Sequence, residues 1–224
     1  GVPYLSTPSI LPAGGSVPSD ASYSWTALGA AYFSSYAIDG QKQLWSSGTN
    51  SYGQLGDGTT TDKWFLTKVG DGKSWNIVSG GGDFGAHGIT TSGALFTWGY
   101  GVSGNLGDGT TISKSSPVQI GTSSWTFITA AGYTKCAIRV DGSLWAWGLN
   151  SSGQVGDGTT VNKSSPVQVR VASSWNALSG SYHMFAIRSD STLWAWGYNA
   201  NGRLGDGTTT DKSSPVQIGT SSWI

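Results

Sequence analysis

The chain has 224 residues, of which 12 are Lys or Arg and 12 are acidic, so its formal net charge is zero. A neutral chain without a basic run lacks the charge pattern of a nucleic-acid-binding protein, and without about 20 consecutive apolar residues we expect no membrane insertion. All the acidic residues are Asp, and Gly occurs 35 times. A composition without Glu and rich in Gly, Ser, Thr and Trp favours strands and turns over helices.

The sequence repeats itself with a period of about 50 residues. A marker tryptophan opens each unit, and the markers are Trp25, Trp75, Trp125, Trp175 and Trp223. A fixed period of this length indicates a repeat architecture. We therefore divide the chain into an N-terminal segment (residues 1–24) with one stray blade strand near Pro8, repeat 1 (25–74), repeat 2 (75–124), repeat 3 (125–174), repeat 4 (175–222) and the start of a further repeat (223–224).

Each repeat predicts four short strands. In repeat 3 the first three strands cover residues 125–128, 136–140 and 144–147, with an Asp141-Gly142 turn between the second and third. The fourth is a Pro-Val-Gln-Ile segment, such as residues 117–120 and 215–218. We expect Pro117 to open its strand, where a missing N–H does least harm to the ladder. Four strands in about 50 residues predict one blade of a β-propeller.

The third strand indicates how the blades stack. Leu144 and Ala146 point to one face and Trp145 and Trp147 to the other, because side chains alternate along a strand. Both faces are apolar, which predicts a blade packed between two neighbours. We expect the small residues to leave room for a tryptophan from an adjacent blade, and these are Ala146, Gly148, Ala195 and Gly197.

A Gly-Asp-Gly-Thr-Thr segment follows the third strand of every repeat, and its residues predict a turn. Gly adopts positive φ without steric cost, and Asp accepts hydrogen bonds from the N–H groups just ahead of it. The repeated signature comprises Gly56, Asp57, Gly58, Gly107, Asp108, Gly109, Gly156, Asp157, Gly158, Gly205, Asp206 and Gly207, together with Trp98, Trp147 and Trp196. Calcium coordination is the alternative for the repeats that add Asp62 or Asp211. We predict no metal site, since Ser113 and Asn162 replace that second acid in repeats 2 and 3.

The string Leu-Trp-Ala-Trp-Gly-x-Asn-x-x-Gly-x-Leu-Gly-Asp-Gly-Thr-Thr, with Ser-Pro-Val-Gln-Ile ahead of the next Trp, resembles the regulator of chromosome condensation repeat in its bacterial and phage form. The resemblance covers residues 25–222 and implies a β-propeller, usually of seven blades. We therefore expect an all-β propeller of four-stranded blades whose four repeats belong to a larger ring or array. The alternative is a closed four-bladed ring. Repeat 1 departs from the pattern, with Ser47 at the position of Trp98, Trp147 and Trp196.

No residue set predicts catalysis, a cofactor or a metal. His87 and His183 lie in unlike contexts, so we interpret them as packed or surface residues. Cys136 alternates with Ile138 and Val140, which predicts a buried, inert thiol. The glycine-rich loops lack the Gly-Lys-Ser/Thr of a phosphate-binding loop, and every repeated Asp has a role in a turn. We predict that the protein is not an enzyme.

Loop residues that vary between repeats are the predicted contact positions, and they are Tyr52, Tyr100, Asn105, Tyr198 and Arg203. We predict a non-catalytic interaction or structural module of a bacterial surface or phage particle, located extracellularly or on the virion. Its partner would be another protein or a further copy of itself. A glycan-binding adhesin is the main alternative, because exposed aromatic rings stack on sugars. An inhibitor of a secreted enzyme and a nucleotide-exchange or chromatin factor also stay open.

Overall fold

The computed structural model describes residues 24–70, 72–80, 84–169 and 174–220. The predicted stray strand near Pro8 and the start of a further repeat at residues 223–224 lie outside this range. Within it, the one helix is a single 3₁₀ turn at Val102–Gly104, so the prediction of almost no helix is confirmed. The described part of the chain contains no helix long and apolar enough to span a membrane.

The strands form successive antiparallel blades, which confirms the predicted all-β propeller architecture. Blade 1 contains β1 (Trp25–Ala30), β2 (Ser34–Asp39), β3 (Leu44–Gly48) and β4 (Lys63–Lys68). Blade 2 contains β5 (Trp75–Gly80), β6 (Gly85–Thr90), β7 (Ala94–Gly99) and the first part of β8 (Lys114–Ala131). Blade 3 contains the rest of β8, β9 (Thr134–Arg139), β10 (Leu144–Gly148) and β11 (Lys163–Gln168), and blade 4 contains β12 (Trp175–Gly180), β13 (His183–Arg188), β14 (Leu193–Gly197) and β15 (Lys212–Gln217).

β8 differs from the prediction, because residues 117–120 and 125–128 belong to one strand rather than two. The residues between them stay extended, and Ser124 pairs with Ala94 of β7. Blades 2 and 3 therefore share one seven-stranded sheet in the order β11-β10-β9-β8-β7-β6-β5.

The fourth strand of a blade begins three residues earlier than predicted. β11 starts at Lys163, so the expectation that proline opens this strand is wrong. Gly148 pairs with Lys163 and Ala146 pairs with Val167, which places Pro166 inside a bulge. A bulged residue has no place in the hydrogen-bond ladder, so the missing N–H of proline costs nothing there.

The core lies between consecutive blades. Leu144 and Ala146 pack in one cluster with Trp175 and Trp196 of blade 4. Trp147, on the other face of β10, packs in the cluster that blade 3 forms with blade 2. The prediction of two apolar faces per blade is confirmed, and each buried tryptophan stabilises the array by about 1.5–3 kcal/mol.

Candidate binding surface and its supporting loops

A buried tryptophan ties each later blade to the repeat before it. Trp98 Nε1 donates to the carbonyl oxygen of Gln54 at 2.9 Å, Trp147 Nε1 to that of Asn105 at 3.1 Å, and Trp196 Nε1 to that of Gln154 at 2.9 Å. These indoles are fully buried, and a buried indole N–H needs such a partner. The predicted signature tryptophans therefore hold consecutive blades together.

The glycine that makes room for each indole belongs to the loop of the preceding repeat. Gly156 has φ of 79°, and a Cβ built on it would lie 2.7 Å from Nε1 of Trp196. Gly148, which we expected to face a neighbouring tryptophan, has φ of 102° and would instead overlap the carbonyl oxygen of Tyr133. A Cβ built on Gly197 would likewise meet the backbone of its own blade, 3.0 Å from the Cα of His183. The predicted role of Gly148 and Gly197 is wrong, because each ends the third strand of its blade and pairs with the first residue of the adjacent second strand.

An asparagine side chain organises the Gly-Asp-Gly-Thr-Thr loop. Asn150 is fully buried, and its Oδ1 accepts from the N–H of Val155 at 2.8 Å. Its Nδ2 donates to the carbonyl oxygens of Thr159 at 3.0 Å and Val161 at 3.1 Å. Asn50 and Asn199 make the same set of bonds in repeats 1 and 4. Repeat 2 has Gly101 at this position, so its loop closes without the side chain.

Both carboxylate oxygens of the loop aspartate have partners within the protein. Oδ1 of Asp157 accepts from the N–H of Thr159 at 2.9 Å, and Oδ2 lies 3.0 Å from Nζ of Lys163. Equivalent Asp–Lys pairs occur in the other repeats at 3.3–3.4 Å. A lysine ammonium thus stands where a calcium ion would have to bind, and the described residues contain no cluster of three metal-ligating side chains.

Hydrogen bonds keep the carboxylates of Asp157 and Asp206 ionised. Burial on its own would raise the pKa of Asp157, but hydrogen bonds from Thr159 and the charge of Lys163 outweigh it and hold the pKa below the usual value. The pKa of Asp206 falls to about 2, chiefly because the N–H of Thr208 donates to its carboxylate. Asp157 and Asp206 therefore act as fixed charges of their turns.

Aromatic rings, three exposed and three half-buried, form a continuous row across blades 1 to 3, which we call the aromatic strip. It starts in the loop between β1 and β2, passes the loop between β3 and β4 and the loops before β6 and after β7, and reaches the turn between β8 and β9. Its members are Tyr32, Phe33, Tyr52, Phe84, Tyr100 and Tyr133.

The rings of the strip are in direct contact with one another. Phe33 stacks on Phe84 with centroids 5.6 Å apart, Tyr52 lies 4.4 Å from Tyr100, and Tyr100 lies 6.3 Å from Tyr133. The backbone anchors them, because the carbonyl oxygens of Phe33, Phe84 and Tyr133 accept the N–H groups of Thr49, Tyr100 and Leu149 at 3.0 Å. The strip is therefore an ordered surface.

The structure separates the predicted contact positions. It brings Tyr52 and Tyr100 together in the strip. It places Tyr198 with Arg203 in blade 4, where the guanidinium lies 4.8 Å from the ring centroid. Asn105 is fully buried, so its predicted role in a contact loop is wrong. It lies two residues before Gly107, and its carbonyl oxygen accepts the indole N–H of Trp147 that ties blade 3 to repeat 2.

The sequence reasoning missed four members of the strip, namely Tyr32, Phe33, Phe84 and Tyr133. A signal was available, since every repeat carries an aromatic residue directly before its second strand: Phe33, Phe84, Tyr133 and Tyr182. Tyr182 is 53% exposed as well. An aromatic residue at a fixed repeat position outside the strands is a candidate surface group, because the core does not need it there.

Other polar or nucleophilic groups are enclosed in the core. Cys136 is fully buried, and burial raises the pKa of its thiol, which fits the inert thiol predicted. Val140, expected on the same buried face, lies beyond the end of β9 and is 72% exposed. His87 is fully buried, and burial together with the charge of Lys135 holds its pKa well below the usual value. Neither group can reach a ligand.

Comparison with known proteins now defines the family. The family model for the regulator of chromosome condensation (RCC1) repeat matches residues 92–137, 141–187 and 190–223, more than half of the chain. The chain belongs to the RCC1 repeat family. Repeat 1 of this RCC1-repeat protein lies outside the matched segments, and it is the repeat in which Ser47 replaces the tie tryptophan.

Solved structures share the fold at low sequence identity. Human WBSCR16 superposes with a TM-score of 0.75 at 19% identity, over 90% of this chain and 54% of that one. Yeast RCC1 (Prp20) bound to Kap60 gives 0.79 at 17% identity, over 91% and 50%. Prp20p from Saccharomyces cerevisiae, described with its binding to Gsp1p and histones, gives 0.76 at 19% identity, over 91% and 52%.

The RCC1-repeat chain thus spans about half the length of the solved structures it matches. Identities this low establish the shared fold alone. Comparison of the sequence with curated proteins gave no significant match.

Proposed function

We propose that this RCC1-repeat propeller is a non-catalytic interaction module that binds a protein partner through its aromatic strip. The observation that carries the proposal is the exposure of rings that are nevertheless held in order. Tyr32 is 73% exposed, Phe33 53% and Tyr52 40%, whereas the tie tryptophans are fully buried. A connected set of exposed aromatic rings is a typical mark of an interaction surface.

The chemistry of the strip suits protein recognition. Tyrosine and phenylalanine provide a large apolar area, and tyrosine adds a hydroxyl group that can bond across the rim of an interface. Their rings lose little conformational entropy on binding, and here the contacts between rings have already restricted them. Aromatic anchors of this kind dominate the binding energy of many protein interfaces.

The comparisons support a protein partner. The yeast relative was solved bound to Kap60, and Prp20p was characterised with Gsp1p and histones. Those partners belong to the yeast protein, and only the fold is shared. This chain has zero net charge, which does not favour a histone or chromatin partner by itself.

Glycan binding is the second candidate, because Tyr52 and Tyr100 present a pair of neighbouring rings on which a sugar could stack. The bacterial-surface or virion setting and the extracellular location stay predictions based on the Glu-free, Lys-poor composition. The strip would serve either setting.

A selection experiment tests the proposal. A displayed library of random peptides is selected on the full chain, and the recovered peptides are titrated against the wild type and the double variant Tyr52→Ser/Tyr100→Ser. We expect the double variant to bind at least about tenfold more weakly. The matched control is Val140→Ser, whose side chain is 72% exposed and outside the strip.

Two results would overturn the proposal: recovery of no binding peptide, or recovered peptides that bind the double variant as well as the wild type. A glycan array with the same variants runs in parallel. If glycans bind in a strip-dependent way and peptides do not, the adhesin replaces the protein-binding module. Near-UV circular dichroism verifies that each variant is folded.

A further inference from the structure

One position in each blade changes its chemistry from repeat to repeat. It ends the second strand and pairs with the marker tryptophan of the first strand, and its occupants are Asp39, Thr90, Arg139 and Arg188. Three of the four have a polar partner in their own blade. The pairs are Asp39 with Nε1 of Trp45 at 2.8 Å, Thr90 with Ser92 at 2.9 Å, and Arg188 with Asp190 at 3.5 Å. Arg139 is the exception.

The guanidinium of Arg139 is held in place by two indoles but has no counter-ion. Its central carbon lies 3.6 Å from the ring centroid of Trp145 and 4.9 Å from that of Trp125. Among the described residues, none accepts a hydrogen bond from this side chain or forms an ion pair with it. The carboxylate of Asp141, two residues further on, accepts instead from the N–H and the hydroxyl of Ser143. Stacking on an aromatic face leaves the edge of the planar guanidinium, which carries the N–H groups, available to a ligand.

Arg139 lines a cavity of about 350 Å³ between blades 2 and 3. Blade 2 contributes Val118 and Ile120 to the wall, and blade 3 contributes Trp125 and Pro166. These side chains make much of the wall apolar, and Arg139 supplies a positive charge beside them. Arg139 remains partly exposed, so the cavity reaches solvent at this residue. The volume lies in the range of small-molecule sites.

The other charged residue in the wall, Asp108, is already balanced within the protein. Its Oδ1 accepts from the N–H of Thr110 at 2.9 Å, and its Oδ2 lies 3.4 Å from Nζ of Lys114. The charge of Arg139 is therefore the one left for a ligand. A guanidinium fork with a single unbalanced charge matches a carboxylate, which carries one negative charge and accepts two parallel N–H bonds. A phosphate group, with a charge of about −1.5 to −2, would leave an excess of negative charge in the cavity.

The interface between blades 1 and 2 shows which part of this arrangement belongs to the repeat. A cavity of about 210 Å³ there is lined by Asp57, Pro117 and Lys73. Its cation is an ammonium group, 5.0 Å from the ring centroid of Phe96, and a lysine cannot present a planar fork to both oxygens of a carboxylate. The space between blades is thus common to both interfaces, whereas of these two cavities only the one between blades 2 and 3 holds a stacked guanidinium.

We propose that the cavity between blades 2 and 3 binds a small monocarboxylate with an apolar body. The carboxylate accepts two N–H bonds from Arg139, and the body packs on Val118, Ile120 and Pro166. This site is separate from the aromatic strip, because Tyr133 precedes β9 and Arg139 ends it, which places their backbones about 20 Å apart. The protein would then carry a small-molecule site in addition to its surface for a protein partner.

NMR titration of the full chain with benzoate tests the proposal. Benzoate is a monocarboxylate with a compact apolar ring, and benzamide has nearly the same shape without the charge. We expect benzoate to shift the ¹H–¹⁵N signals of the Trp125 indole and of Nε of Arg139, with a Kd of about 1 mM or lower. Benzamide should bind at least about tenfold more weakly, because it offers the guanidinium no negative charge.

Variants of the guanidinium identify its role. Arg139→Gln should weaken benzoate binding at least about tenfold, and Arg139→Lys, which keeps the charge but loses the fork, at least about threefold. Arg188→Gln is the matched control, since Arg188 occupies the equivalent position of blade 4 and has Asp190 as its partner. It should bind benzoate as the wild type does.

A second variant tests the cavity with Arg139 left in place. Val118→Glu puts a carboxylate on the wall, where it should compete with benzoate for the guanidinium and weaken binding at least about tenfold. Val216→Glu makes the same change at the equivalent position of blade 4 and should have no effect. The ¹H–¹⁵N spectrum of each variant shows whether it is folded.

Four results would overturn the proposal. They are no benzoate binding up to roughly 20 mM, benzoate binding that survives both Arg139→Gln and Val118→Glu, equal binding of benzamide, and tighter binding of inorganic phosphate than of benzoate. Tyr52→Ser/Tyr100→Ser should bind benzoate unchanged. Loss of binding in that double variant would place the ligand on the aromatic strip and would also overturn the assignment to the cavity.

Discussion

The indole of Trp196 donates its N–H to the main-chain carbonyl oxygen of Gln154 at 2.9 Å, and this bond joins blade 4 to the loop of repeat 3. The acceptor is a backbone group that only the correct loop conformation presents. The loop glycines and the tie tryptophan therefore depend on each other.

Gly156→Ala should be markedly more destabilising than Gly207→Ala. Both glycines have φ of 79°, so both variants carry the cost of a left-handed alanine, about 1–2 kcal/mol. Only the Cβ at position 156 also meets an indole, 2.7 Å from Nε1 of Trp196, whereas Gly207 has open space. We expect overpacking to add about 1–3 kcal/mol, measured by urea unfolding. Equal losses would show that the indole contact is unimportant.

Asn150→Ala should lower the free energy of unfolding by about 2–4 kcal/mol. The change leaves the N–H of Val155 and the carbonyl oxygens of Thr159 and Val161 without their side-chain partner. Asn201→Ala, at an exposed loop position of repeat 4, is the control and should change stability by less than about 0.5 kcal/mol. If the two variants unfold at the same urea concentration, Asn150 does not organise the loop.

Acid should destabilise the protein through His87. Its pKa in the folded state lies well below 6.5, so the unfolded chain binds a proton below about pH 6.5 that the folded chain does not. The free energy of unfolding therefore decreases as the pH is lowered, by up to about 1.4 kcal/mol per pH unit for this one group. His87→Phe, the residue found at position 185, should flatten the dependence between pH 6.5 and about pH 4.5, above the range of the carboxylates.

The slope with pH is the readout, because any constant packing cost of the new ring cancels from it. His183→Phe serves as the control, since the pKa of His183 is also lowered by burial but its ring is only half-buried. The control should keep most of the slope. A slope unchanged in His87→Phe would contradict the assignment.

Asp206 should titrate at a pKa of about 2 in the folded protein. Its depressed pKa contributes stability that is present above the unfolded value of 3.8 and is lost as the pH falls toward 2. Thr208→Val removes the hydroxyl that donates to this carboxylate at 2.8 Å and should raise the pKa. Carboxyl ¹³C NMR titration measures both values, and an unchanged pKa in the variant would rule out the hydroxyl as a cause.

The blade architecture follows from local features of the sequence. Glycines at positive φ set the turns, strand alternation sets the two apolar faces of β10, and the marker tryptophans set the period. Each of these acts over a few residues or repeats regularly along the chain. The position of Pro166 could not be predicted in this way, because the bulge that contains it depends on how β11 pairs with β10.

The sequence by itself determined the all-β propeller, the repeat family and the structural role of the Gly-Asp-Gly segments. The turn constraints act between neighbouring residues, and the repeat period can be counted directly along the chain. Only the tertiary structure decided which aromatic rings meet. Phe33 and Phe84 lie a full repeat apart in the chain but stack at 5.6 Å, and Asn105 is buried although it occupies a variable loop. Such contacts arise from the packing of one blade on the next, which brings together residues that no local pattern connects.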